Sequence, residues 1–127
     1  MANIWKKSVL FAAGGCSYMG IELLWRGWTH SSMFLAGGSS FLLLGKLNQL
    51  KSVPLAVRML SGAGAITGVE LITGLLTNRD HSVWDYRHVP FNYRGQICLP
   101  FCLLWVPVSL FGMTLYGALD KQIPPVK

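Results

Sequence analysis

Two glutamates, Glu22 and Glu70, stand inside otherwise apolar runs of this 127-residue chain. A carboxylate in such a setting costs several kcal/mol unless it is paired, protonated or facing water. Groups that expensive are candidates for holding a proton or a cation, or for general acid–base work. The competing reading is that they bond to nearby donors and lock helices together. Asp85 is the third candidate carboxylate. It lies in a polar, aromatic stretch that also holds Asp80, His81, Trp84, Tyr86, Arg87, His88, Pro90, Asn92 and Arg94.

Glu22, Arg26 and His30 follow one another at intervals of four, which stacks them on one face for as far as the helix continues; Gly27 and Thr29 limit how far that is. Such a ladder would grip an anion through Arg26 while Glu22 and His30 handle a proton, or would form an interfacial ion pair and nothing more. Trp84, Asp85, Tyr86 and Arg87 combine stacking, charge and hydrogen bonding. Pro90 adds a rigid turn, Asn92 an amide and Arg94 another cation. This stretch either dips between helices, with Asp85 and Arg87 closing a site over Glu22 and Glu70, or lies along an interface with its aromatics among headgroups.

There is no glycine-rich phosphate loop, nucleophile elbow or HExxH zinc helix. His30, His81 and His88 have no metal-ligand spacing, so neither a metal nor another cofactor is expected. The three cysteines, Cys16, Cys98 and Cys102, lie in or at the edges of apolar runs, and an odd number there makes no disulfide framework. Cys98 and Cys102, one helical turn apart, would share a face as packing residues or as a metal or redox pair.

The elements that must position these groups read as membrane helices. Hydrophobic residues make up 52% of the chain and charged ones 13%, against about 25% charged in soluble domains. Four apolar runs, residues 8–25, 31–50, 55–76 and 97–119, are each long enough to cross a hydrocarbon core of about 30 Å. The expected fold is an all-α integral membrane bundle of four transmembrane helices, a single domain over residues 1–127, with an extracytoplasmic loop, residues 77–96, between the third and fourth. The first run continues past Cys16 to Trp25, which suits a retained helix rather than a cleaved signal. Gly64 and Gly68 form a small-xxx-small pair that would let another helix approach.

The net charge is +6. In a soluble protein that balance would suggest an acidic partner. Here it follows the membrane instead, and no nucleic-acid partner is expected. Lys6, Lys7, Lys46, Lys51, Arg58, Lys121 and Lys127 fall on one side of a four-span arrangement, and Arg26, Arg79, Arg87 and Arg94 on the other. Seven against four puts both termini in the cytoplasm. Gly20-Ile21-Glu22-Leu23-Leu24 is echoed by Gly68-Val69-Glu70-Leu71-Ile72, one helix pair later. The echo reads as two parallel helix-hairpin repeats or as chance likeness between apolar helices.

Several stretches together resemble a known family. They are Glu22-Leu23-Leu24-Trp25-Arg26-Gly27-Trp28-Thr29-His30, Met33 to Gly38, Glu70 to Gly74 with Asn78, Trp84-Asp85-Tyr86, Pro90-Phe91-Asn92, and Gly95 to Leu99. The chain is similar over these to the bacterial membrane proteins called putative ABC-transporter type IV, or putative ABC-transporter permease. The resemblance implies a multi-pass protein of the bacterial cell membrane with a transport label. It points to Glu22, Arg26, His30, Glu70, Asn78, Trp84, Asp85, Tyr86 and Asn92. The label admits an ATPase partner, although the short connection at residues 48–54 shows no coupling-helix motif.

Three functions fit these residues. The first is a transport or permease component, a homo-oligomer or part of a larger membrane complex, since four short spans scarcely enclose a path alone. The second is a membrane-embedded enzyme acting on a lipid or lipid-linked headgroup at the outer leaflet, with Glu70 or Asp85 as base and Arg26 or Arg87 holding a phosphate. The third is a structural or regulatory subunit.

Overall fold

A computed structural model describes residues 2–123 of the chain, so Lys127 and the end of the polar tail lie outside the described residues. Four helices carry the fold: α1 (Ala2–Arg26), α2 (Ser31–Gln49), α3 (Leu55–Thr77) and α4 (Leu99–Gln122). The connection between α3 and α4 contains one short antiparallel ladder, β1 (Asn92–Tyr93) against β2 (Ile97–Cys98), with Asn92 opposite Cys98 and Tyr93 opposite Ile97. The all-α expectation holds, with four helices.

Local chemistry sets the helix ends. Gly27 takes φ 78°, in the left-handed region that glycine tolerates, and α1 stops one residue earlier. His30 then turns extended, with φ −137°, and its Nδ1 accepts from the backbone N–H of Ser32 at 3.1 Å, capping α2. The one-face ladder of Glu22, Arg26 and His30 is therefore cut after Arg26, because the chain leaves the helix and His30 belongs to the cap of the next one. Pro54 precedes α3, Pro100 sits in the first turn of α4, and Pro107 lies within α4.

Among the described residues, three helices are long and apolar enough to cross a membrane: Ile4–Arg26, Leu55–Thr77 and Leu99–Gln122. The second helix is not among them, and packing explains why. It touches each of the other three, so little of its surface faces outward, and small or polar residues such as Ser32, Ala36, Gly37 and Gly38 are buried along it. Two clusters fill the interior: Leu10, Phe41 and Tyr116 join α1, α2 and α4, while Leu44, Ile66 and Met113 join α2, α3 and α4. Where helices face lipid, close van der Waals contact rather than apolar burial holds them together. Accordingly, a Cβ on Gly37 would lie 3.0 Å from the Gly14 carbonyl oxygen and 2.5 Å from Tyr18 Cβ, so α1 and α2 meet almost backbone to backbone.

By contrast, a Cβ on Gly64 or Gly68 would meet nothing within 4 Å. That face of α3 is open rather than used inside the bundle. At the far end, Lys6 Nζ lies 3.0 Å from Asp120 Oδ1, tying the start of α1 to the end of α4.

Candidate functional site

The last turns of α1 and α3 and the connection between α3 and α4 enclose a small cavity. Its walls are Tyr18, Glu22 and Arg26 from α1, Met33 and Ala36 from α2, Glu70 from α3, and Trp84 and Tyr86 from the connection. The volume is about 20 Å³, room for roughly one water-sized species and no more.

Glu70 is 7% exposed. Its Oε1 accepts from the indole N–H of Trp105 on α4 at 2.7 Å, and its Oε2 accepts from the Tyr86 hydroxyl at 3.2 Å. Tyr86 is fixed from behind by stacking on Phe101, with ring centroids 5.0 Å apart and an interplanar angle of 21°. Burial pushes the Tyr86 phenol well above its ordinary pKa, and the adjacent Glu70 charge adds to this. Tyr86 therefore stays protonated and remains a donor.

Glu22 and Arg26 are one turn apart, with Arg26 Nε 2.6 Å from Glu22 Oε2. Arg26 Nη1 donates to the Val83 carbonyl at 2.6 Å, and the guanidinium carbon lies 4.1 Å from the centre of the Trp28 ring. Its Nη2 is buried and has no hydrogen-bond partner among the described residues. The cavity is thus lined by two carboxylates and one guanidinium.

The connection is built to deliver Trp84 and Tyr86. Asn78, 0% exposed, is its hub. The Asn78 amide donates to the Trp84 carbonyl at 2.7 Å and to Gln96 Oε1 at 2.9 Å, while its oxygen accepts from the N–H groups of Val83 and Trp84. Gln96 Nε2 returns a bond to the Asn78 carbonyl at 2.9 Å, and the Trp84 indole N–H donates to the Gln96 carbonyl at 2.8 Å. Residue 74 must be glycine for this, because any Cβ there would overlap the Gln96 amide.

The candidate residues divide by position. Glu22, Arg26, Glu70, Trp84 and Tyr86 meet at the cavity. Asn78 has every polar side-chain atom occupied by the connection. Asn92 bonds the Arg87 and Val89 carbonyls and accepts from Gly95 N–H, bracing the turn. His30 caps α2. Asp85 does not line the cavity. It accepts from Arg87 through the backbone N–H, Nε and Nη2, at 2.9, 2.9 and 2.7 Å, and these bonds hold its carboxyl below the usual range. Two residues at the site, Tyr18 and Trp105, were not singled out from sequence, since they look like ordinary span aromatics, and Gln96 entered only within the Gly95 to Leu99 stretch. Cys98 and Cys102 are free thiols.

A family model described as putative ABC-transporter type IV matches residues 16–123. No curated protein and no solved structure matches the chain.

Proposed function

Since the chain belongs to the putative ABC-transporter type IV family, a family of transport-related membrane proteins, we propose that it is a small permease component. In it Glu22 and Glu70 share one intramembrane site for a proton or a small monovalent cation. The observation that carries this reading is the charge balance of the cavity, two carboxylates to one guanidinium in about 20 Å³. One further positive charge neutralises the site, and only a proton or a small ion fits the space. A lipid headgroup does not, which is why transport is preferred to headgroup chemistry.

In this reading α2 completes a four-span, single-domain bundle in the bacterial cell membrane. Both termini are cytoplasmic by the excess of basic residues at their end, and the loop expected over residues 77–96, which the helix ends bound at 78–98, lies outside. Trp84 and Tyr86 act as the outer gate. The open Gly64–Gly68 face supports assembly with a second copy or with another subunit, which would complete the path.

The test is Glu70→Gln in proteoliposomes loaded with a pH-sensitive dye. Proton flux driven by an imposed gradient should fall to background while helicity and the elution profile stay the same. Unchanged flux sinks the proposal. The full occupation of Glu70 by Tyr86 and Trp105 favours a second reading, a structural lock. Under that reading Glu70→Gln chiefly breaks up assembly, visible as a shift in elution.

A further inference from the structure

A second concavity lies on the outer side of the connection, away from the two glutamates. It is a groove of about 420 Å³ lined by Leu75, Arg79, His81, Arg94 and Gln96. We propose that this groove binds the phosphate group of an anionic phospholipid.

Its charge is one-signed. Arg79 and Arg94 form no ion pair among the described residues. Neither nearby carboxylate lines the groove: Asp80 Oδ1 is turned to Ser82, accepting from its N–H and Oγ–H at 3.1 and 2.7 Å, and Asp85 is paired with Arg87. Arg79 uses Nε on the Leu75 carbonyl at 2.9 Å, which fixes the side chain and leaves both terminal nitrogens. Arg94 rests with its guanidinium carbon 5.6 Å from the centre of the Tyr93 ring. Planar guanidinium forks match phosphate oxygens in pairs, so two of them on one groove suit that group.

The backbone beside the groove is held in a fixed conformation. His81 and Arg94 have φ values of 59° and 54°, and Gly95 follows at 68°. A left-handed conformation at a non-glycine residue is strained and persists only where its surroundings hold it. A hydrogen bond at 2.9 Å between His81 Nε2 and the Arg94 carbonyl clamps the two strained residues together across the groove.

The membrane side supplies the other half of a lipid site. Leu75 forms the groove's floor on the last turns of α3, and Ile72 and Leu76 beside it are 62% and 71% exposed. Phe91 and Tyr93 are exposed on the connection above. Acyl chains would run down α3 from a phosphate held by Arg79 and Arg94. A free phosphate ion has no use for that apolar wall. Each arginine near an anionic surface strengthens lipid binding several-fold.

The test uses the whole protein in neutral detergent micelles, titrated with phosphatidylglycerol, phosphatidylcholine or inorganic phosphate, and follows thermal unfolding and lipid retention by native mass spectrometry. Phosphatidylglycerol alone should stabilise and be retained, and R79Q/R94Q should weaken its binding about tenfold or more. K51Q, which removes a charge at the opposite end, should leave it unchanged. Equal stabilisation by inorganic phosphate or phosphatidylcholine overturns the lipid assignment, as does full retention by R79Q/R94Q. Should that variant not fold, the wild-type protein decides: phosphatidylglycerol must slow hydrogen exchange at residues 79–81 and 94–95, and no slowing there overturns the proposal.

Discussion

The Tyr86 hydroxyl lies 3.2 Å from Glu70 Oε2, and through this bond the connection after α3 closes directly onto the carboxylate of α3. Tyr86→Phe keeps the stack on Phe101 and removes only the donor. A bond to a carboxylate contributes about 1.5–3 kcal/mol. The variant should unfold earlier in denaturant by that amount and exchange amide hydrogens faster at residues 83–87. An unshifted transition would mean that the bond does not close the gate.

Glu22 and Arg26 should show strong coupling. Arg26→Gln leaves Glu22 facing Glu70 without its counter-charge, and Glu22→Gln strands a half-buried guanidinium. Each single change is expected to cost about 2 kcal/mol, a value reduced from the fully buried case because both side chains keep some solvent contact. The double variant should recover at least half of the summed loss, since neither charge is then left alone. A strictly additive cycle, measured by denaturant unfolding in micelles, would refute the pairing.

Acid should release the turn at residues 85–87 late. The bonds from Arg87 depress the folded pKa of Asp85. A carboxyl depressed on folding adds stability above its unfolded value of about 3.9 and loses it as pH falls through the lower folded value. The turn therefore persists through about pH 4 and opens only below it. Carboxyl carbon chemical shifts followed by NMR should place the Asp85 midpoint beneath the ordinary aspartate range, and Arg87→Gln, which keeps only the backbone bond, should raise it toward that range. A normal midpoint in the wild type would show that the Arg87 bonds do not persist.

Much of the architecture could be read from residue type, because helices long and apolar enough to cross a bilayer announce themselves by length and composition. The second helix is the instructive departure. Its composition weakens its own signal because it packs against all three other helices, and no single-chain pattern records which helix is central. The site was legible where cost marks a residue: Glu22 and Glu70 stand out because carboxylates there are expensive, and both line the same cavity. Partners that are cheap everywhere were not legible. Trp105 completes Glu70 from a helix 35 residues away, and Gln96 mirrors Asn78 across 18 residues. Asp85 is the opposite case. Its charge drew attention, yet a neighbour two residues along absorbs it.

The clasp between Asn78 and Gln96 makes the intervening chain a ring with its own neck. The bond from Tyr86 N–H to the Gly95 carbonyl, at 2.9 Å, closes a smaller ring inside it. The entropy of bringing the ends together is settled at these two clasps, and doubling a flexible ring costs only about 0.6 kcal/mol more. The exposed tip around His88, Pro90 and Phe91 is therefore where this chain can change length at least cost. An epitope or a fluorophore-binding tag inserted there would sit beyond both clasps, with Trp84 still bonded to the Gln96 carbonyl and Tyr86 to Glu70.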